Sequence, residues 1–109
     1  MLPPDQIEEV QSLCSEAKSM SEAGQEYLFL PALRLPLGSN PAVVDALLSP
    51  KGQGGYATRM FVSTQVSGKG ANWTTHRILD RVWHTPSWKD VGAELRLLEM
   101  IIGHLEVYK

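Results

Sequence analysis

Between Glu26 and Val66 the chain is built from short apolar runs cut apart by proline and glycine, and this alternation limits the fold more than any other feature. The runs are EYLFLPAL (26 to 33), AVVDALLS (42 to 49) and YATRMFVSTQV (56 to 66). Two turn-rich segments separate them: LPLGSNP (35 to 41), with Pro36, Gly38, Asn40 and Pro41, and SPKGQGG (49 to 55), with three glycines and a proline. Runs this short, joined by turns, fit an antiparallel meander and leave no room for crossover helices. Pro31 inside the first run marks an edge or a bulge, because proline has no N–H to give to a ladder.

Helical patterns flank the meander. Ile7, Val10, Leu13, Cys14, Ala17 and Met20 recur at three- and four-residue spacing, which predicts a helix. Asp5 is its expected N-cap, with Glu8 completing a capping-box-like pair, Pro4 just outside and Gly24 closing the last turn. SGKGAN (67 to 72) reads as a flexible connector. Its Gly-Lys-Gly is no phosphate loop, since no Ser or Thr follows the lysine and no helix opens there. From Trp73 to Trp88 the pattern is mixed, and Trp73, Ile78, Val82 and Trp83 anchor a short strand or a loop laid over the sheet. Val91, Leu95, Leu98, Ile102 and Leu105, widened by Leu97 and Ile101, predict a final helix with Asp90 as N-cap and Glu94 in its first turns. The expected whole is one α+β domain over residues 1 to 109, with helices packed on one face or at one end of a sheet.

Charge and cysteine content narrow the function. With 10 Lys and Arg against 12 Asp and Glu the net charge is −2, and the basic residues are scattered, so no phosphate-tracking stripe exists for nucleic acid. A single cysteine, Cys14, excludes a disulfide framework and a cysteine zinc site. On the apolar stripe of the first helical pattern it reads as a small core residue. There is no basic-then-apolar leader and no run of about 18 apolar residues, so the expectation is a soluble, reduced, cytoplasmic protein away from membranes.

The stretch DRVWHTPSWKD (80 to 90) is where chemistry could sit. Ser87, His84 and Asp80 or Asp90 are close in sequence, but no nucleophile-elbow pattern surrounds Ser87. His76, His84 and His104 lack the spacing and carboxylates of a metal site, and no metal or other cofactor is expected. Trp83 and Trp88 read first as the corner of a core and second as anchors for a partner, since tryptophan is enriched at binding hot spots.

The order of these motifs resembles the ubiquitin-conjugating (E2) superfamily, in particular the bacterial branch called prokaryotic E2 family E. Leu35, Pro36, Gly38, Asn40, Pro41, Asp45, Leu47 and Leu48 match its first part, and Trp83, His84 and Trp88 its second. The resemblance runs from about Ile7 to Leu105. It implies an E2-like domain: an N-terminal helix, a meander of about four strands, an irregular flap and a C-terminal helix. It also implies a place in a bacterial ubiquitin-like conjugation pathway, of the kind found in antiphage-defence operons, with a ubiquitin-like protein or an E1-like activating enzyme as partner. One departure matters. E2 enzymes carry the modifier on a flap cysteine, because a thiolate both attacks and leaves well. No cysteine lies between Thr58 and Lys109, and no His-Pro-Asn triplet supplies the oxyanion donor. The expectation is therefore a non-catalytic E2-like module. The alternative is a transferase that carries the modifier as an oxyester on a flap hydroxyl (Ser87, Thr74, Thr75 or Thr85) with His84 or His76 as base. An unrelated α+β binding domain fits the same pattern.

Overall fold

The computed structural model describes all residues from Met1 to Lys109. Its elements are α1 (Pro4–Val10), β1 (Lys18–Glu22), β2 (Gln25–Arg34), β3 (Val43–Ser49), β4 (Arg59–Val62), β5 (Thr74–Ile78), β6 (Arg81–Thr85) and α2 (Leu97–Leu105), followed by a 3-10 turn over Glu106–Tyr108. The strands form one antiparallel sheet of six in the order β1-β2-β3-β4-β6-β5. The class is α+β, as the runs and turns require, with six strands where about four are expected.

The sheet is buried on both faces at its centre, which is why β3 and β4 read as near-continuous apolar runs. On one face Leu28, Leu30, Ala46, Leu48, Met60 and Val62 pack with Val10, Leu97, Met100 and Ile101 of the helices. On the other face Tyr27, Leu47, Phe61, Ile78 and Trp83 form a smaller core. That second core exists because the sheet curls: the backbone N–H of Leu79, at the β5–β6 turn, donates to the carboxylate of Glu22 at the end of β1.

The first helical pattern is corrected. α1 stops at Val10, and residues from Lys18 form a strand paired with β2 through Lys18↔Phe29 to Glu22↔Gln25. Ala23 (φ 51°) and Gly24 (φ 79°) make the two-residue turn between them. Positive φ at both positions matches the twist of a tight hairpin. Gly24 adopts a left-handed conformation as expected, but in a hairpin rather than at a helix end. Cys14 and Ala17 are buried, so their apolar character is used while their helical spacing is not. The cap is also shifted: Pro4 is the first helical residue, Pro3 is the N-cap, and Asp5 lies in the first turn.

β2 bulges between Leu30 and Leu33, at Pro31. Ala32 takes φ 52°, and its N–H leaves the ladder to donate to Asp45 Oδ1 at 2.9 Å. The segment expected to be an irregular flap contains the β5–β6 hairpin, turned by Leu79 (φ 53°) and Asp80 (φ 59°). Only residues from Pro86 to Arg96 run irregularly into α2.

The final helix is shorter than its apolar pattern. Asp90 is not its cap, having φ 67° in the loop; α2 begins after Arg96, whose N–H is accepted by Glu99 Oε1 at 2.9 Å. Gln6 Oε1 accepts the N–H of Leu97 at 2.9 Å, and Arg96 reaches Asp5 and Glu9, each at 3.2 Å, which sets α1 beside α2. With the start displaced, the buried stripe is Leu97, Met100, Ile101 and His104, and Ile102 faces outward.

Candidate functional site

The sequence places its candidate chemistry between Trp73 and Trp88, and the β5–β6 hairpin spreads those residues over two faces. Trp83 is 1% exposed and plugs the smaller core. Its Nε1 donates to Ile78 O at 3.1 Å, Phe29 meets it edge-to-face at 6.3 Å, and the Arg81 guanidinium covers its ring at 4.7 Å. It presents no surface to a partner. Trp88 is half-buried in the irregular segment, and its Nε1 donates to Gly103 O at 3.0 Å, fixing that segment to α2.

The hydroxyls do not converge on His84. Ser87 Oγ lies 2.9 Å from Tyr56 Oη, Asp80 holds Arg77, and Thr85 is buried and donates to Met60 O at 2.8 Å. Thr75 Oγ1 is 3.5 Å from His84 Nδ1, across the β5–β6 pair, which is at the limit of a hydrogen bond. The close contact is a different one: Thr74 Oγ1 and His76 Nε2 are 2.8 Å apart on the outermost strand. Burial, assisted by the charge of Arg59, holds His76 below the usual imidazole range, so it is neutral at pH 7 and able to accept a proton. No three of the His, Cys, Asp and Glu side chains gather where a metal could be held.

Cys14 is sealed. It is 6% exposed, its Sγ donates to Pro31 O at 3.1 Å, and burial raises its pKa, keeping it a thiol. The carbonyl that holds it belongs to the same bulge that turns Ala32 toward Asp45. Asp45 in turn grips Arg81 at 2.8 Å, and its carboxyl lies below the usual range because it accepts first from the Ala32 N–H and then from Arg81. Asp45 therefore ties β3 to β2 and to β6.

Sequence reasoning passed over two clusters. In the first, Thr58 Oγ1 donates to Val91 O at 2.7 Å and lies 2.8 Å from His104 Nε2. With the hydroxyl proton on Val91 O, the imidazole must donate from Nε2. Burial, with a smaller push from Arg59, lowers the His104 pKa to about 4. In the second, Arg59 is buried at the start of β4, with its guanidinium 4.0 Å over the ring of Tyr56. The available signal was a charged residue opening an apolar strand, in RMFV.

Leu13 (46% exposed), Leu37 (101%) and Ile102 (50%) line an open groove of about 440 Å³ with Pro36 and Leu105. Arg34 and Lys109 stand at its rim. Three large apolar side chains left in water around one hollow form a patch of the kind proteins keep for binding.

No protein-family model, no curated protein and no solved structure matches the chain. The E2 resemblance rests on its own motifs and their order.

Proposed function

We propose that the chain is a non-catalytic E2-like module of a bacterial ubiquitin-like conjugation pathway, which docks a ubiquitin-like modifier or its activating or conjugating enzyme. The pathway follows from the motif resemblance. The non-catalytic role is carried by one observation: the sole thiol is buried, protonated and bonded to Pro31 O at the β2 bulge, outside the β5–β6 hairpin and the segment that follows it. A thioester there would require opening the core around α1. The Leu13–Leu37–Ile102 groove supports a docking role, since it leaves three large apolar side chains exposed around one hollow. The test is direct binding: purified modifier, activating enzyme and conjugating enzyme are each titrated into the protein by calorimetry. Saturable binding to one of them supports the module, and heats indistinguishable from dilution for all three remove it.

A second reading has one specific observation behind it. Thr74 and His76 pair hydroxyl to neutral imidazole at 2.8 Å at the surface, which is the minimum for base-assisted oxyester formation. It shifts the candidate nucleophile from Ser87 to Thr74, because Ser87 is held by a tyrosine and lacks a base. No carboxylate stands behind His76 to orient it, which weighs for the module over the transferase.

A further inference from the structure

Arg59 differs from every other arginine in the molecule. Arg77, Arg81 and Arg96 each hold a carboxylate, and Arg34 is exposed to solvent. Arg59 is 7% exposed and has no carboxylate partner, and its Nε is buried without a protein acceptor. Taking a cation out of water without a counter-charge costs several kcal/mol, so such residues are rare unless something else completes them.

The surroundings are built around this charge. The Tyr56 ring lies 4.0 Å under the guanidinium, and Lys89 Nζ approaches the same ring at 5.9 Å, so two cations share one aromatic side chain. Tyr56 is fixed by its hydroxyl contact with Ser87 at 2.9 Å. Gly54 passes over the guanidinium from the solvent side: a Cβ there would lie 3.7 Å from Nη1, and the position is exposed. A hollow of about 240 Å³, lined by Gly55, Tyr56, Thr58, Lys89 and Asp90, opens on the Tyr56–Lys89 side of the corner, while Arg59 also borders a closed contact with Met60, Thr85, Trp88 and His104 that has no room for water. Burial first and the Arg59 charge second hold His76 and His104 below the ordinary imidazole value.

We propose that the Arg59–Tyr56–Lys89 corner binds one oxyanion, a carboxylate or a phosphate group, which takes the free N–H donors of Arg59 and the ammonium of Lys89. A planar guanidinium fork matches either group in two-point contact, and the Lys89 ammonium adds a mobile point charge. Asp90, the one acid in the lining, is exposed and forms no ion pair with Arg59 or Lys89, and the Glu94 carboxylate lies against Gly92 of the same lining. This site does not depend on the E2-like role and stands or falls separately from it.

The test is an amide-shift titration of the whole chain, at constant ionic strength, with inorganic phosphate in one arm and an acetylated glycyl-glycine bearing a free C-terminal carboxylate in the other. The same peptide amidated at its C-terminus is the control. The expected result is saturable shifts at residues 54 to 59 and 87 to 89 in at least one arm below about 50 mM. The tighter arm names the source of the anion, and the amidated peptide gives none. Lys89→Gln, an exposed change outside both cores, weakens binding at least about fivefold, and Arg59→Lys, which keeps charge but loses the fork, weakens it further. Absent or non-saturating shifts in both arms, shifts located elsewhere, or affinity unaltered in Lys89→Gln overturn the proposal.

Discussion

His104 is neutral because it is buried, and that choice sets a pH dependence. Its folded pKa of about 4 lies below the ordinary 6.5, so the unfolded chain takes up a proton first as pH falls. Stability is therefore complete above about pH 7 and declines through the interval from 6.5 to 4. At about 1.4 kcal/mol per unit, the loss is about 2 kcal/mol by pH 5 and about 3 kcal/mol by pH 4. Urea unfolding at several pH values checks this, and His104→Leu flattens the curve in that window. Trp83→Ala, which empties the smaller core, costs about 3 to 5 kcal/mol in the same assay. Some of this was legible in the residues themselves. Cys14 read as a packed core residue because its neighbours on the pattern are apolar, and it is buried. Arg59 was not legible, because a charge in a strand reads as a solvated position unless the second face of the sheet is known to be covered. Ser87 misled in the other direction: three residues from His84 in sequence, it lies against Tyr56, which comes from the β3–β4 loop.

At the scale of the element, turns decide more than periodicity. Gly24 and Gly52 both have positive φ, but their surroundings differ. A Cβ on Gly24 would meet nothing within 4 Å, whereas one on Gly52 would fall 1.8 Å from Tyr56 O. Gly24→Ala should cost about 1 kcal/mol for its backbone alone, and Gly52→Ala at least about 2 kcal/mol, because the β3–β4 loop must shift. Thermal unfolding of the two variants checks the order, and an equal loss in both would contradict the account. The same physics explains what the sequence concealed. The spacing of Cys14, Ala17 and Met20 suits a helix, but Lys18–Glu22 finds a complete ladder partner in Gln25–Phe29 once Ala23 and Gly24 turn the chain. A glycine with positive φ closes a helix or turns a hairpin, and only long-range pairing distinguishes the two. The β5–β6 hairpin was harder to see, since its turn is Leu79-Asp80 and contains neither glycine nor asparagine. β2, β3 and β4 were plain, because each is bounded by proline and glycine and packs its apolar residues on two covered faces.

Across the whole molecule, two helices cover one face of the sheet and its own curl covers the other, and no helix is long and apolar enough to cross a membrane. Leu37 is fully exposed and makes no core contact, so Leu37→Glu should leave the unfolding midpoint within about 0.5 kcal/mol of the parent. If the groove is the docking surface, the same change weakens binding of the partner at least about tenfold by calorimetry. A loss of stability equal to the loss of binding would assign Leu37 to the fold instead. The α+β class and the meander could be read from the chain; the groove could not, because Leu13, Leu37 and Ile102 come from three separate segments, and Ile102 falls on the stripe expected to be buried. The central claim is that the molecule docks partners without carrying a modifier covalently. Intact-mass spectrometry after incubation with an activating enzyme, ATP and a ubiquitin-like protein tests it most directly. The expected result is an unchanged mass, with and without thiol reductant, under conditions where binding is saturated. A mass increase of one modifier that is cleaved by reductant, or one that resists reductant and is removed by hydroxylamine, would contradict it, the first by exposing Cys14 and the second by assigning an oxyester to a hydroxyl such as Thr74.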